Sequence, residues 1–349
     1  MEVLGIDIGF GFTKATNGKE FLMFKSLLGE ASDIPFRANL ANTSFTENLH
    51  VTVDDQTFFV GDFAERQSGV RQSTLDQDML IQEFAKILAL TAAGIFSEKY
   101  VPMNVVSGLP VGYFSQYKES FVKAVLGHHT VNYHKADGTV VTRRININRI
   151  RMIPQPMGSI LNLLMNERGQ ITDKDLAKKK VGVVDVGFKT TDFIIFDKLQ
   201  FISRGSRTID TGISDAFRTI ANKIRKQVDV SLELYRLYDP VSKGTIRIRG
   251  QEMELAEIRD HVYAQAAGEI ANEINQLWAD DWDMDTVVLT GGGGMELAKH
   301  LQPLIAGNVV ATPQETDARL NNVQGYLKFA RHLWSKDGDS AEETEEAAE

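Results

Sequence analysis

The stretches GIDIGFGFTKA, residues 5–15, and VGVVDVGFKTTDF, residues 181–193, decide the fold of this chain. In each of them an apolar strand ends at an aspartate, a glycine turn follows, and a second strand leads through a short turn into a third. Asp7 and Asp185 occupy matching positions 178 residues apart. Because this repeat distance is half of the chain, the pattern predicts two related lobes and not a solenoid.

The composition limits the classes of protein to consider. A chain of 349 residues favours two domains, and 43% apolar with 24% charged residues excludes a wholly disordered or fibrous protein. The chain has no cysteine, which excludes disulfides, thiolate zinc sites and thiol nucleophiles. No run of 18 apolar residues appears in the sequence, and residues 1–10 read as a strand with no charged leader, so we expect no membrane segment and a cytoplasmic location.

The net charge of −9 is concentrated at the C-terminus, where residues 337–349 hold seven acids and no base. Such a segment buries too little apolar surface to order itself, so we expect a disordered acidic tail. The one basic cluster lies in an alternating stretch that predicts the solvated face of strands, and direct nucleic-acid binding is therefore not expected. Its members are Arg143, Arg144, Arg149 and Arg151.

Strands alternate with helical patterns along the rest of the chain, which predicts an α/β fold. We expect strands at residues 103–107 and 286–290 and a hairpin around residues 137–138. The predicted helices are residues 75–97, 115–126, 158–166, 213–227, 254–279, 295–306 and 323–334. No motif is recognisable in residues 27–75.

Each repeat places an aspartate beside a glycine turn at the carboxyl end of a buried strand, where backbone N–H groups can approach phosphate. Two such hairpins would hold a polyphosphate, with Asp7 and Asp185 near its Mg²⁺ through water and Lys14 neutralising charge. Alternatively, each aspartate only caps a turn. Residues 291–294, four glycines after a buried strand, are a further candidate contact or else a flexible loop. The chain has neither a P-loop nor a G-x-G-x-x-G opening a helix.

The order of these motifs resembles the superfamily of actin, Hsp70 and sugar kinases. Residues 5–15 look like its first phosphate motif, 154–164 its first connecting motif, 181–193 its second phosphate motif, 287–297 its adenosine motif and 321–330 its second connecting helix. Residues 105–127 and 209–217 are similar to the ParM-like bacterial and archaeal actins, the plasmid-segregation filament proteins.

This resemblance implies a two-lobed actin-like fold, with a duplicated mixed-sheet core of the ribonuclease-H type in each lobe and a nucleotide cleft between the lobes. The implied boundaries are residues 1–157 with 320–336 for domain I, including a variable insert at about 27–75, and 158–319 for domain II. Residues 337–349 would form the tail.

The resemblance also assigns roles to residues. Asp7 and Asp185 would organise Mg²⁺ through water, and Gln155 would orient the attacking water, because an amide cannot take a proton. Lys189 departs from the small residue common at its position, and we expect residues 218–236 to supply part of the adenine contacts. The residues implied to bind nucleotide are Gly9, Gly11, Thr13, Lys14, Gly187, Thr190, Thr191, Gly212, Gly291, Gly292, Gly293 and Gly294.

The function implied is an ATPase that polymerises head to tail with ATP and disassembles after hydrolysis, for plasmid segregation or cargo positioning through an adaptor protein. ATP is expected, with GTP as the alternative, together with Mg²⁺. A small-molecule kinase on the same fold is a second hypothesis, and its candidate bases are Asp192 and Asp210. The third is a scaffold that binds nucleotide without turnover.

Overall fold

The computed structural model describes residues 2–31, 45–73, 81–311 and 317–346. The described chain divides into two compact units. The first unit comprises Met1–Leu109, Tyr113–Asp173 and Asn322–Glu349, and the second comprises Pro110–Gly112 and Lys174–Asn321. The α/β class is confirmed.

The first unit carries one mixed sheet, to which ten strands of the described ranges contribute. Its strands are β1 (Glu2–Ile8), β2 (Phe12–Thr16), β3 (Phe21–Lys25), β4 (Leu27–Glu30), β5 (His50–Val53), β6 (Gln56–Val60), β7 (Arg71–Ser73), β8 (Met103–Leu109), β9 (Gly127–His134) and β10 (Val140–Pro154), in the spatial order 3-2-1-8-10-9-5-6-4-7. Its helices are α1 (Asp62–Gln67), α2 (Ile81–Phe96), α3 (Val111–Val125), α4 (Met157–Leu164) and α9 (Asn321–Glu346), with a short 3-10 turn at Phe45–Asn48. The first two residues of α3 and the first of α9 belong to the second unit.

One apolar core holds the first unit together. Helix α2 contributes Leu88, Leu90 and Ala92, all fully buried, and packs against β1, β2, β5, β9 and β10. Burial of an apolar helix face against the sheet gives this unit its main stabilising contribution.

The second unit carries a five-stranded sheet and a separate two-stranded hairpin. Its strands are β11 (Lys180–Val186), β12 (Thr191–Asp197), β13 (Gln200–Ile209), β14 (Thr245–Ile248), β15 (Gln251–Glu254), β16 (Thr286–Thr290) and β17 (Val309–Ala311). Its helices are α5 (Ile213–Val228), α6 (Tyr238–Lys243), α7 (Ala256–Leu277) and α8 (Gly292–Leu301), with 3-10 turns at Leu176–Lys178, Leu234–Arg236, Gln302–Leu304 and Ala318–Leu320.

Helix α5 shows how the spacing of apolar residues in the sequence determines packing within the second unit. Its buried residues Ile213, Phe217, Ile220 and Ile224 recur three or four positions apart, which places them on one helix face against the core. Asp229 caps the C-terminus of the helix, and its left-handed backbone conformation (φ 51°) ends the series of helical hydrogen bonds.

The predicted duplication is confirmed in the sheet order. The second sheet runs 13-12-11-16-17, and the first contains the equivalent order 3-2-1-8-10. In both, the central strand pairs antiparallel with the hairpin strand and parallel with the next. Each unit therefore contains the same mixed-sheet core.

Several expectations about elements differ from the structure. Residues 27–75 contain β4 to β7 and α1, and 158–173 belong to the first unit, not the second. The helix expected from 295 begins already at Gly292. The helix expected from residue 75 is described only from Ile81, since residues 74–80 lie outside the described ranges.

The C-terminal segment, predicted to be disordered, differs from that prediction because α9 continues to Glu346. The Ala and Glu residues of this segment are good helix formers. The last three residues, 347–349, lie outside the described ranges.

Candidate functional site

The β1–β2 hairpin of the first unit brings Asp7, Lys14 and Gln155 together. Asp7 is 2% exposed at the end of β1, and Lys14 faces it from β2, donating from Nζ to its Oδ2 at 2.9 Å. Gln155 follows β10 directly and donates from Nε2 to the other carboxylate oxygen, Oδ1, at 3.0 Å. Both oxygens of the buried Asp7 carboxylate are therefore held in fixed directions.

Backbone groups shape the turn of this hairpin. The Gly9 N–H donates to the Phe12 carbonyl at 3.0 Å, and Ser26 Oγ donates to the Gly9 carbonyl at 2.6 Å. A side chain at Gly9 would lie 3.2 Å from Lys14 Nζ, so glycine leaves room beside the ammonium group.

Gly11 and Thr13, two of the residues implied to bind nucleotide, form contacts that stabilise the hairpin itself. Thr13 is fully buried and its hydroxyl pairs with Ser26 at 2.9 Å, while Gly11 is buried and accepts the Ser26 N–H. They hold the hairpin in shape, and Ser26, which sequence analysis missed, links them to Gly9.

The β11–β12 hairpin of the second unit repeats the same turn. The Gly187 N–H donates to the Thr190 carbonyl at 2.8 Å, as Gly9 does to Phe12 in the first unit. Asp185 lies 8% exposed before the turn, and Thr191 donates to the Thr211 carbonyl at 2.6 Å. Thr190 and Thr191 are both buried.

Helix α5 begins against this second hairpin. Gly212 is its N-cap, and a Cβ there would lie 2.5 Å from the Phe188 carbonyl oxygen. The Ser214 N–H donates to that carbonyl at 2.8 Å, and the Ile213 N–H donates to Gly187 at 3.1 Å. The helix start and the turn are thus one rigid piece of backbone in which only glycine fits at position 212.

The four glycines after β16 form the start of α8. Gly291 has φ 84°, and a side chain there would overlap Oδ1 of Asp185 and lie 2.5 Å from the Val186 carbonyl oxygen. A Cβ on Gly293 would lie 2.9 Å from the same carbonyl. The glycines therefore let the amino end of α8 approach the β11 strand end closely, and the loop alternative is set aside for residues 292–294.

Two side chains that sequence analysis missed lie beside these glycines. A Cβ on Gly292 would approach the Tyr238 hydroxyl at 2.7 Å and Arg319 Cγ at 3.1 Å. The guanidinium of Arg319 stacks over the Tyr238 ring at 5.6 Å and forms an ion pair with Asp317. Burial raises the pKa of Tyr238 to about 12, so this phenol stays neutral.

Tyr238 lies two residues beyond the segment 218–236 that was expected to supply adenine contacts. Its ring packs edge-on against Phe217 at 5.8 Å, and Asn321 donates to Thr290 Oγ1 at 3.0 Å on the same side of the second unit. The only sign of Tyr238 in the sequence is that it is an aromatic residue at the start of a helix. Nothing local marks Arg319.

Asp192 occupies in the second hairpin the position of Lys14 in the first, because it pairs with Asp185 across the strands. It is buried, and its Oδ1 accepts hydrogen bonds from the Val111 N–H at 2.8 Å and from Thr208 Oγ1 at 2.5 Å. Burial, reinforced by the negative charge of Asp185 and opposed by these hydrogen bonds, raises the pKa of Asp192 to about 7. Its carboxylate caps the first turn of α3.

Asp210 lies apart from that arrangement, exposed at the end of β13. Lys189 lies in the turn of the second hairpin and is half-buried. Within the described ranges, no group of three or more His, Asp or Glu side chains is arranged to hold a metal ion. No helix in those ranges is long and apolar enough to cross a membrane.

Comparisons with known proteins agree with this architecture. The model of the N-terminal domain of actin-like proteins matches residues 5–158, and that of the C-terminal domain of the archaeal, MreB-like actin homologue matches residues 183–303. A search of curated protein sequences found no match.

Solved structures with similar folds include a 15-stranded ParM filament from Clostridium botulinum, at 23% identity and TM-score 0.79 over 95% of this chain and 99% of that one. A non-polymerisable quadruple mutant of pCBH ParM matches at 24% and 0.78, over 95% and 99%. The archaeal actin homologue Ta0583 in complex with ADP matches at 22% and 0.77, over 95% and 99%.

The duplicated core with its two similar hairpins defines a two-lobed actin-like fold. The chain carries an N-terminal domain of the actin-like proteins and a C-terminal domain of the archaeal, MreB-like actin type, and its structural neighbours are ParM and an archaeal actin homologue.

Proposed function

We propose that this protein is an ATPase that assembles into filaments with ATP and disassembles after hydrolysis. The observation that carries the proposal is the Asp7, Lys14 and Gln155 cluster beside the Gly9 turn, repeated as a turn at Gly187. Similar folds bind ADP in the archaeal homologue and AMPPNP in Bacillus thuringiensis ParM.

In this proposal the N–H groups of the two glycine turns and the Lys14 ammonium bind the phosphates. The adenosine lies at the start of α8, where Gly292 leaves space beside Tyr238 and Arg319. Phenol and guanidinium planes suit stacking on a purine. GTP is the alternative nucleotide, and contacts with the purine base would distinguish ATP from GTP.

The donor set fits Mg²⁺ held through water. Asp7 and Asp185 supply carboxylate oxygens, and a Cβ at position 291 would lie 2.3 Å from Oδ1 of Asp185, so only glycine fits there. Bound Mg²⁺ would neutralise phosphate charge. Because Lys14 and Gln155 already hold the Asp7 carboxylate, this side chain can orient water ligands without moving.

Gln155 positions water in the proposed hydrolysis. Its Nε2 is held by Asp7 and by the Ile8 carbonyl at 3.3 Å, which leaves the amide oxygen as the acceptor for a water hydrogen. An amide orients the water but does not take its proton, so slow turnover is expected. Slow hydrolysis gives a filament time to grow before it becomes unstable.

The proposal of assembly is supported by a solved structure of similar fold, a 15-stranded ParM filament. Head-to-tail contacts between unlike surfaces produce open filaments, and nucleotide controls assembly when it binds two conformations with different affinity. We propose plasmid segregation or cargo positioning through an adaptor protein in the cytoplasm as the cellular role.

The kinase hypothesis is less well supported, because Asp192 is buried and engaged at the start of α3 and is not poised as a base for a substrate hydroxyl. Asp210 is exposed and lies directly after β13. A scaffold that binds nucleotide without turnover remains as an outcome of the experiment.

The test is light scattering with phosphate release followed in the same cuvette, using Mg-ATP, Mg-ADP and a non-hydrolysable ATP analogue. We expect scattering to rise with ATP and to fall as phosphate appears. Gln155→Ala should lower phosphate release by about 100-fold and keep ATP binding, whereas exposed Gln276→Ala should match the parent. Phosphate release without any rise in scattering would contradict the filament, and binding without release would favour the scaffold.

A further inference from the structure

Phe10 lies at the tip of the β1–β2 turn, between Gly9 and Gly11, and its side chain is half-buried. The Gly9 N–H closes the turn by donating to the Phe12 carbonyl at 3.0 Å, and Ser26 binds the carbonyls of both glycines. These bonds hold the base of the turn. The glycines on either side of Phe10 leave the tip with wide backbone freedom, so the direction of its N–H groups depends on where the Phe10 ring is held.

The Phe10 ring is held by helix α3. It packs edge-on against Tyr113, with 6.4 Å between the ring centres and 71° between the ring planes. Tyr113 also contacts Tyr117, one helical turn later, at 6.2 Å between ring centres. Edge-to-face pairs of this kind are stabilised beyond their buried area and favour one relative orientation of the two rings. The tip of the turn is therefore tied to α3 within the first unit.

The start of α3 is capped by side chains that lie far away in sequence. The first N–H groups of a helix have no partner within the helix. In α3 the Val111 N–H donates to Asp192 Oδ1 at 2.8 Å, and the Gly112 N–H donates to Thr208 Oγ1 at 2.7 Å. The Thr208 hydroxyl donates in turn to the same oxygen of Asp192 at 2.5 Å. Strands β12 and β13 thus hold the helix start through one connected set of hydrogen bonds.

This set of hydrogen bonds leaves the helix start little freedom. Asp192 and Thr208 are direct cross-strand partners, and the Asp192 carboxyl is buried, so water does not compete for its hydrogen bonds. The Thr208 hydroxyl both accepts and donates, which fixes its orientation. A Cβ on Gly112 would lie 3.1 Å from Thr208 Cβ, so glycine lets the helix backbone approach β13 closely. Tyr113 is the next residue along the helix, and its position follows from that of Gly112.

We propose that Tyr113 and Thr208 are positioning residues for the nucleotide. Thr208 fixes the first turn of α3, and Tyr113 then holds Phe10 so that the N–H groups of the Gly9 turn point towards phosphate. The inference rests on the proposed ATPase function and extends its phosphate site to two residues that do not touch the nucleotide. Because these residues act on the turn and not on Gln155, they should affect nucleotide affinity and not the hydrolysis step.

The first test is a double-mutant cycle in the full-length protein between Phe10→Ala and Tyr113→Ala. Each variant should weaken ATP binding about fivefold, because each removes the same ring contact. The double variant should bind as weakly as either single variant and no more weakly, since the two residues act as one unit. Tyr113→Phe keeps the ring and should bind as the parent does, as should Tyr100→Ala, which removes an exposed tyrosine elsewhere in the first unit. Affinity is measured by competition with a fluorescent ATP analogue, at protein concentrations that do not scatter light.

The second test removes the hydroxyl of Thr208. Thr208→Val keeps the shape of the side chain but leaves the Gly112 N–H without its acceptor, and ATP binding should weaken about fivefold. Thr208→Ser restores the hydroxyl and should restore the affinity. Thr219→Val is the matched control, at an exposed threonine on α5, and should bind ATP as the parent does.

Two further readouts separate positioning from a general loss of structure. The KM for ATP should rise in Tyr113→Ala and Thr208→Val while kcat stays within about twofold of the parent value, because Asp7 and Gln155 are unchanged. Adenosine has no phosphate, so it should compete equally well in every variant. A fall in kcat or in adenosine binding that parallels the rise in KM would mean that the two residues support the fold only, and would overturn the inference.

The outcomes also separate this inference from the proposed function. Parent-like ATP affinity of Tyr113→Ala or Thr208→Val, or an additive loss of about 25-fold in the double variant, would overturn the inference and leave the ATPase standing. Tyr113→Phe binding as weakly as Tyr113→Ala would do the same, because the ring contact would then not be the cause. A parent protein that binds neither ATP nor the fluorescent analogue would overturn both.

Discussion

Lys14 and Asp192 occupy equivalent positions in the two hairpins but have opposite chemistry. Lys14 forms an ion pair with Asp7, while Asp192 faces Asp185 across the strands and caps α3. The duplicated backbone is therefore retained while its side chains have diverged. At the residue scale, the strand position that carries an ammonium group in the first hairpin carries a carboxyl group in the second.

Asp192→Asn tests the buried carboxyl. With a native pKa of about 7 and an unfolded value of 3.8, the folded state keeps a proton that the unfolded state releases. The free energy of unfolding should therefore fall as pH rises from about 4 to about 7, by roughly 4 kcal/mol at most. Asparagine keeps the acceptor for the Val111 N–H without a charge. Thermal unfolding of nucleotide-free protein should show the stability of the variant rising relative to that of the parent between pH 5 and pH 8, by roughly 3 kcal/mol at most.

The control for this prediction is Asp280→Asn, at an exposed position, which should track the parent at both pH values. A variant that is equally destabilised at pH 5 and pH 8 would mean that Asp192 is ionised throughout and acts only as a cap.

Lys14→Ala tests the phosphate contact. We expect at least tenfold weaker binding of a fluorescent ATP analogue, because the ammonium group beside Gly9 is lost and the charge of Asp7 is uncompensated. Lys19→Ala, in the exposed turn between β2 and β3, is the matched control and should bind as the parent does. Equal affinity of all three proteins would remove Lys14 from the site.

At the scale of elements, helices α4 and α9 pack closely against each other at two glycines, Gly158 and Gly325. A Cβ on Gly325 would overlap the Gly158 carbonyl, and one on Gly158 would lie 2.5 Å from the Asn322 carbonyl oxygen. Ser159 Oγ donates to Asn322 Oδ1 at 2.8 Å at the same crossing. The two connecting helices therefore pack backbone against backbone within the first unit.

Gly325→Ala should destabilise the protein by about 3 kcal/mol, because neither helix backbone can move away without loss of its contacts. Gly268→Ala is the control, since a Cβ there meets no atom within 4 Å in the middle of α7. It should stabilise by about 0.5–1 kcal/mol through helix propensity. Urea unfolding followed by circular dichroism measures both changes. A Gly325→Ala protein as stable as the parent would mean that the helices separate easily.

The strength of the local sequence signal also differs from element to element. The β1–β2 and β11–β12 hairpins are encoded locally, since strand, aspartate and glycine turn follow one another directly, and Gln155 could be placed from the motif around it. Strands β4 to β7 were missed because β5 pairs with β9, which lies far away in sequence, and short strands of this kind have no local signal. Arg319 reaches Tyr238 by the same kind of tertiary contact, which no spacing in the sequence reveals.

At the scale of the whole molecule, charge is unevenly distributed. The last 13 residues contribute seven of the negative charges, so their removal changes the net charge from −9 to −2. Subunits of like charge repel one another as they associate, and salt screens this repulsion with a Debye length of about 10 Å at 0.1 M. The C-terminal segment should therefore oppose assembly most strongly at low ionic strength.

A chain that ends at residue 336 should accordingly assemble with ATP at a lower critical concentration than the full chain at low salt. The difference should disappear near 1 M salt, where the Debye length is about 3 Å. A full-length variant with all seven acids of the segment changed to their amides should behave like the truncated chain, because repulsion depends on charge and not on length. Pelleting across a salt series measures all three proteins. A critical concentration that rises on truncation would instead mean that the acidic segment binds a neighbouring subunit, and the amide variant would then assemble as poorly as the truncated one.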